Sequence, residues 1–142
     1  MRRRVVRFLL LVALVSTLGA RSVHVQESST KAAQASVDAW LALIDGQRYA
    51  ASWDEAASIF KSAVPQEKWS AAVQAARASL GQMKSRTLNA APSPIKPPAA
   101  PEGEYLLLQF STTFDQRSAA AETVTVFKEK DGTWRVAGYF IK

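Results

Sequence analysis

The sequence predicts an α+β domain in which three N-terminal helices pack on one face of a four-stranded antiparallel meander. Apolar residues recur at helical spacing as far as Met83, and beyond that residue they alternate with polar ones as in half-buried strands. The order of the elements, helices first and strands after them, is typical of α+β domains.

Three helical segments are indicated before Met83. The first follows a capping residue, Ser29 or Thr30, and ends at Gly46, which can adopt the left-handed conformation that closes a helix. The second lies within residues 48–62. The third opens at Pro65, whose missing N–H costs nothing at a helix start. Their apolar stripes are Val37, Trp40, Leu41 and Ile44; Tyr49, Trp53 and Phe60; and Trp69, Val73, Ala76, Leu80 and Met83.

Four strands are predicted after the helices, over residues 85–90, 104–114, 121–128 and 134–141. The first two are joined by a loop, residues 91–103, that contains five of the six prolines and therefore forms few backbone hydrogen bonds. Its Pro-x-x-Pro spacing could present a polyproline surface to a partner, although a plain connector explains the composition better. Asp131-Gly132 is typical of a tight hairpin turn between the last two strands.

Residues 1–20 have the order of a secretory signal peptide: a head with four arginines, an apolar run over residues 8–15 and a small-residue tail. The apolar run is shorter than the ~20 residues that span a bilayer, so an uncleaved membrane anchor is the second interpretation. Residues 21–29 are polar and aperiodic and predict a flexible tether. Residues 30–142 then form a single domain of a periplasmic or secreted protein.

Composition excludes several functions. The formal net charge of +6 includes the four arginines of the leader, which leaves +2 for the exported part and gives nucleic-acid binding little support. The chain has no cysteine, and its one histidine, His24, lies in the predicted tether. Ser–His–Asp and Cys–His catalysis, thiolate chemistry and histidine metal sites are therefore not expected. Glycine-rich phosphate loops are also absent, so we expect no metal and no cofactor.

Six polar residues are candidates for a pocket or ligand site. A buried Asp38 or Glu122 could act as a base on a small substrate, although an exposed position, at a helix surface for Asp38 and at a strand end for Glu122, explains each better. An arginine close to Glu122 or Gln109 inside a concave sheet would suit a carboxylate or sugar ligand, and surface ion pairs are the alternative. The candidates are Asp38, Arg77, Arg86, Gln109, Glu122 and Arg135. The four tryptophans could form a stacking platform, but core packing explains them better.

Several short motifs resemble the bacterial domain of unknown function 4019 family over residues 35–142. They are Trp40-Leu41 with Asp45, the run 49–53, Phe60-Lys61, Trp69, Leu80-Gly81 with Ser85-Arg86, the run 103–105, Gln109-Phe110, the run 122–125 and the ending 134–142. The resemblance implies an exported bacterial protein. The ending is also similar, more weakly, to cystatin-like folds of the nuclear transport factor two type. Neither resemblance implies a catalytic mechanism.

These observations favour an exported, non-catalytic domain that binds a partner protein or a small ligand. The competing hypothesis is a small pocket enzyme or ligand carrier that uses Asp38 or Glu122. A third is a structural domain that forms a homodimer through an exposed sheet edge. A membrane partner is expected only if the leader is not cleaved.

Overall fold

The computed structural model describes the backbone of residues 18–142 and the side chains of residues 22–142. The predicted signal peptide, residues 1–20, lies outside the described residues except for its last three. Within the described residues, no helix combines the length and the apolar character needed to cross a membrane.

Four helices precede the sheet in the described residues: α1 (Leu18–Asp45), α2 (Tyr49–Asp54), α3 (Ser58–Ala63) and α4 (Gln66–Ala78). The second predicted helix is thus two short helices. The chain leaves the helical conformation between them because Ala56 and Ala57 are fully buried and the Ala57 N–H donates to the Val136 carbonyl, 2.7 Å away in the sheet. That bond to an edge strand replaces one that a continuous helix would make.

Helix α1 begins at least eleven residues earlier than predicted, so residues 21–29, expected as a tether, are helical. No glycine or proline interrupts the chain between Gly19 and Gly46. The Glu27–Lys31 ion pair, 2.8 Å long and four residues apart, adds support on the helix surface. Polar composition alone therefore did not end the helix. Residues 22–28 are exposed, and α1 first contacts the sheet where the Trp134 Nε1–H donates to Ser29 Oγ over 3.3 Å.

The sheet contains β1 (Met83–Leu88), β2 (Ser93–Ile95), β3 (Tyr105–Phe114), β4 (Arg117–Lys128) and β5 (Trp134–Ile141). The order β1-β3-β4-β5, with antiparallel pairing throughout, confirms the predicted four-stranded meander. Strand β2 is the addition: it lies within the predicted proline loop and pairs with the first residues of β3. β1 and β2 therefore follow one another along the same edge of β3.

The inner face of the sheet and the helices enclose the main core. Leu108, Val124 and Val126 are fully buried there against Val37 of α1 and its neighbours. Trp40, Trp69 and Trp134 are 3%, 8% and 6% exposed, so core packing is confirmed for these three tryptophans and a stacking platform is not available. Helix α1 packs mainly on β5, with a smaller contact on β4. The inner-face side chains of β3 are buried in this core, whereas β1, at the other edge of the sheet, is covered less and has no fully buried residue.

Candidate functional site

Four charged side chains from four different elements meet on the inner face of the sheet. They are Asp45 at the end of α1, Arg77 of α4, Arg86 of β1 and Glu122 of β4. The Glu122 side chain is fully buried, and those of Arg77 and Arg86 are 6% and 11% exposed. We call these four side chains, with Thr112 and Tyr139, the charged cluster.

Arg86 joins both carboxylates of the charged cluster. Its Nε and Nη2 donate to the two oxygens of Glu122 at 2.7 and 3.2 Å. Its Nη1 and Nη2 donate to the two oxygens of Asp45 at 2.7 and 3.0 Å. Planar, forked donors suit this double bidentate arrangement, which a lysine could not reproduce.

Arg77 approaches the same two carboxylates from α4. Its Nη2 donates to Asp45 Oδ1 at 2.8 Å, and its Nη1 donates to the Tyr139 hydroxyl at 3.4 Å. Nη1 also lies 3.9 Å from Glu122 Oε2, and the guanidinium carbon stands 4.6 Å from the centre of the Phe114 ring. Charge, hydrogen bonds and an aromatic face thus replace the water that Arg77 loses on burial.

Glu122 has no free oxygen in this arrangement. Besides the two bonds from Arg86, its Oε1 accepts from the Thr112 hydroxyl at 2.5 Å, and its Oε2 accepts a short hydrogen bond from the Tyr139 hydroxyl. Three strands and α4 thereby surround one carboxylate. A base or nucleophile needs a lone pair that a substrate can reach, and the protein occupies both oxygens of Glu122.

The charged cluster shifts the pKa values of its members in directions that preserve it. Burial opposes the charge on Asp45, but hydrogen bonds from Arg86 and Arg77 outweigh it and hold the pKa of Asp45 below its usual range. Burial opposes the charges of both arginines as well, and their bonds to the carboxylates raise their pKa. Burial, followed by the neighbouring Glu122, raises the pKa of Tyr139, so its hydroxyl stays protonated and donates.

The formal charges in the cluster cancel, because two arginines face two carboxylates. Every buried side-chain nitrogen and oxygen of the described residues has a hydrogen-bond partner. No group of three or more histidine, cysteine, aspartate or glutamate side chains suited to a metal ion is found in the part of the chain that the structure describes. The centre of the domain is therefore complete without a ligand.

An open groove runs beside the charged cluster, between α1 and β1. Its volume is about 400 Å³. Its walls are one stripe of α1 and the side of β1, and its floor is apolar. Its residues are Gln34, Asp38, Ala42 and Asp45 from α1; Met83, Arg86 and Leu88 from β1; and Phe110 from β3. We call this surface the α1–β1 groove. A smaller cavity of about 260 Å³ reaches Asp45 and Arg77 from the other side of α1.

The structure brings together three of the six predicted site residues, Arg77, Arg86 and Glu122. Asp38 is exposed on α1 and lines the α1–β1 groove. Gln109 is exposed on the outer face of the sheet. Arg135 lies at the far end of β5, where its Nη1 is 3.2 Å from the Glu55 carboxylate.

Sequence reasoning missed Asp45, Thr112 and Tyr139 as site residues, and their spacing carried a usable signal for the first two. Asp45 lies four residues after Leu41 on the buried stripe of α1, and Arg77 lies four residues after Val73 on that of α4. Thr112 lies two residues from both Phe110 and Phe114 in β3, so its side chain points to the same buried face of the sheet as theirs. A polar residue at a predicted core position indicated a buried partner in each case. Tyr139 escaped this rule because a shift in the β4–β5 register precedes it.

Replacing Arg86 with Met should lower the free energy of unfolding by about 3–5 kcal/mol, because Glu122 would remain buried without its main charge partner. Adding Glu122→Gln to Arg86→Met should recover part of that loss, since the remaining buried charge is removed. Urea denaturation followed by circular dichroism measures both.

The matched control is Arg135→Ala, which breaks an exposed ion pair and should cost no more than about 1 kcal/mol. An Arg86→Met loss as small as the control's would contradict the role given to the charged cluster.

Acid should weaken the domain through Asp45. Its folded pKa lies below the unfolded value of 3.8, so its contribution to stability is fully present above that value. The contribution is lost as the pH falls through the folded pKa. We expect the urea midpoint of the parent to exceed that of Asp45→Asn at about pH 6, and the difference to shrink as the pH is lowered to about 2. A difference between the two proteins that stays constant with pH would contradict this assignment.

Comparison with known proteins gives a family and no activity. A search of curated proteins finds no match to this chain. The model of a family described as a protein of unknown function, DUF4019, matches residues 36–139. That stretch contains the four charged members of the cluster, Thr112, Tyr139 and the residues of the α1–β1 groove from Asp38 onward. The chain belongs to the DUF4019 family.

Proposed function

We propose that this chain is an exported, non-catalytic binding module and that the α1–β1 groove is its binding surface. One observation carries the proposal: two partly exposed apolar side chains of β1, Met83 and Leu88, border a groove beside a polar centre that is already complete. Apolar surface next to a few oriented polar groups is the usual composition of ligand sites.

The α1–β1 groove offers three kinds of contact. Met83 and Leu88, both half-buried, supply apolar surface, and Phe110, which is buried, lies at its floor. Gln34 supplies an amide, and Asp38 supplies a carboxylate that has no ion pair or side-chain hydrogen bond within the described residues. Arg86 and Asp45 close one end and are fixed by their bonds to each other, at 2.7 and 3.0 Å. A ligand would meet a pre-formed surface and would not need to order it.

The competing hypothesis, a pocket enzyme or ligand carrier with a buried carboxylate, draws no support from this geometry. Glu122 is fully buried, and all its hydrogen-bonding capacity is directed at Arg86, Thr112 and Tyr139. Asp38, the other carboxylate of that hypothesis, is exposed on a helix surface. Binding without catalysis requires neither residue to react.

The proposed export rests on the sequence of residues 1–20. A basic head, a short apolar run and a small-residue tail favour cleavage near Ala20 and a periplasmic or secreted location.

A fragment screen by two-dimensional NMR tests the binding surface. Fragment-sized compounds should bind preferentially in the α1–β1 groove and shift the backbone amides of Met83, Arg86 and Leu88. Ala42→Arg should abolish these shifts because it places a long side chain across the groove from an exposed position on α1. Its effect on stability should stay within about 0.5 kcal/mol.

The matched control is Ala32→Arg, an exposed position on α1 that does not line the groove and lies about a third of a helical turn around α1 from Asp38. This variant should retain the fragment binding of the parent. Hits that cluster on another surface, or that survive Ala42→Arg unchanged, would show that the α1–β1 groove is not the binding site.

Export is tested by the intact mass of protein expressed with its own leader and recovered from a periplasmic extract. We expect a chain that begins near Ala20 or Arg21. A full-length chain confined to the membrane fraction would overturn cleavage and indicate a tethered domain.

A further inference from the structure

We infer that the occupant of the α1–β1 groove is an extended peptide segment that adds to the sheet as a strand beside β1, with apolar residues on one face and a basic residue near Asp38. This inference rests on the proposed function and specifies the ligand class. It starts from the position of β1, which pairs with β3 on one side and has a free edge on the other. The free edge borders the α1–β1 groove.

The hydrogen-bond register shows which backbone groups the free edge offers. Asn89 N–H donates to the Gln109 carbonyl at 2.9 Å, and bonded pairs alternate along an antiparallel ladder. Thr87 and Ser85 therefore bond β3 in the same way as Asn89. The N–H and C=O groups of Arg86 and Leu88 point away from β3, towards the free edge. A peptide strand about 4.8 Å away could pair with both residues.

The side chains of the same two residues line the groove, as do those of Met83 and Phe110. Alternate side chains of an added strand point to the same face of the sheet, so every second residue of the peptide would lie over this apolar floor. Main-chain bonds then supply affinity, and the groove selects the side chains.

Charge selects the peptide further. Asp45 and Arg86 neutralise each other and their partners, whereas Asp38 has no cation within the described residues. The unbalanced charge of the groove is thus negative, and a lysine or arginine of the peptide complements it.

Charges on an edge strand often prevent such pairing, but both charges of β1 are engaged. Lys84 Nζ lies 2.9 Å from the Asp115 carboxylate, and Arg86 is held by the charged cluster. The neighbouring edge segment β2 is protected differently, since Pro94 interrupts it. The open part of this edge is therefore the part that borders the groove.

The test titrates the protein recovered after export with a blocked hexapeptide, followed by NMR. This peptide has valine at its first and fifth positions, lysine at the third and threonine at the even positions, so that both valines and the lysine share the face that meets the groove; we call it the valine–lysine peptide. Binding should shift the amides of Arg86 and Leu88 and slow their hydrogen exchange, because those two amides gain partners. Asp38→Asn should weaken binding roughly 2- to 5-fold, as expected for one exposed ion pair. Ala42→Arg should abolish binding, and Ala32→Arg should leave it unchanged.

Two further peptides test strand pairing directly. In one peptide the odd-numbered residues are N-methylated, and in the other the even-numbered residues are. Because successive N–H groups of a strand point to opposite edges, each peptide loses its backbone donors along one of its two edges. Strand addition to β1 uses one edge, so one methylated peptide should bind as the parent peptide does and the other should fail.

Several results would overturn the inference. Equal binding by both methylated peptides would mean that the α1–β1 groove binds side chains without strand pairing, which leaves the proposed function standing. Equal or tighter binding of the same peptide with glutamate in place of its lysine would contradict the selection by Asp38. Protection of Arg86 and Leu88 that rises with protein concentration, without peptide, would assign the edge to a second copy. No binding of the valine–lysine peptide would reject the peptide class, and the fragment screen would then decide the proposed function alone.

Discussion

The rest of this structure depends on one buried carboxylate, that of Glu122. It lies in the middle of β4, and it stays charged inside the protein only if cations and hydroxyl donors surround it. Arg86 and Thr112 come to it from β1 and β3, and Tyr139 comes from β5, so Glu122 and its partners together link all four strands of the meander. Removing any one partner leaves the buried carboxylate incompletely compensated, and the remaining partners cannot offset that free-energy penalty. The positions of the strands are therefore interdependent.

Asp45 extends this constraint from the sheet to the helices. Arg77 of α4 and Arg86 of β1 both bind it, so the last residue of α1 is fixed against a helix and a strand at once. The opposite part of α1 is held by apolar contacts and by the bond between Trp134 and Ser29. Two separate attachments determine how far α1 stands from β1. The width of the α1–β1 groove is therefore a consequence of the charged cluster.

Periodicity predicted much of this fold because burial imposes it. The alternation in β3 and the stripes of α1 and α4 reproduce the core, and the Asp131-Gly132 turn joins β4 and β5 as expected. Predictions were wrong where a single long-range bond decides the backbone, as at Ala57, whose amide bonds Val136 and divides one helix in two. The charged cluster was half found: Arg77, Arg86 and Glu122 were named, whereas Asp45, the partner of both arginines, was missed although its place on the buried stripe of α1 indicated a buried partner.

The centre of this small domain holds charged rather than apolar side chains. We attribute this to the need to fix the position of the helices on the sheet. Replacing a buried ion cluster with well-packed apolar residues is often neutral or stabilising, so stability alone does not explain it. Apolar packing tolerates small slides of a helix over a sheet, whereas the two bidentate pairs of Arg86 tolerate almost none. In this domain the Arg86–Asp45 contact, at 2.7 and 3.0 Å, is also the end wall of the α1–β1 groove. The same bonds that hold the helices on the sheet thus keep the α1–β1 groove open beside an exposed strand edge.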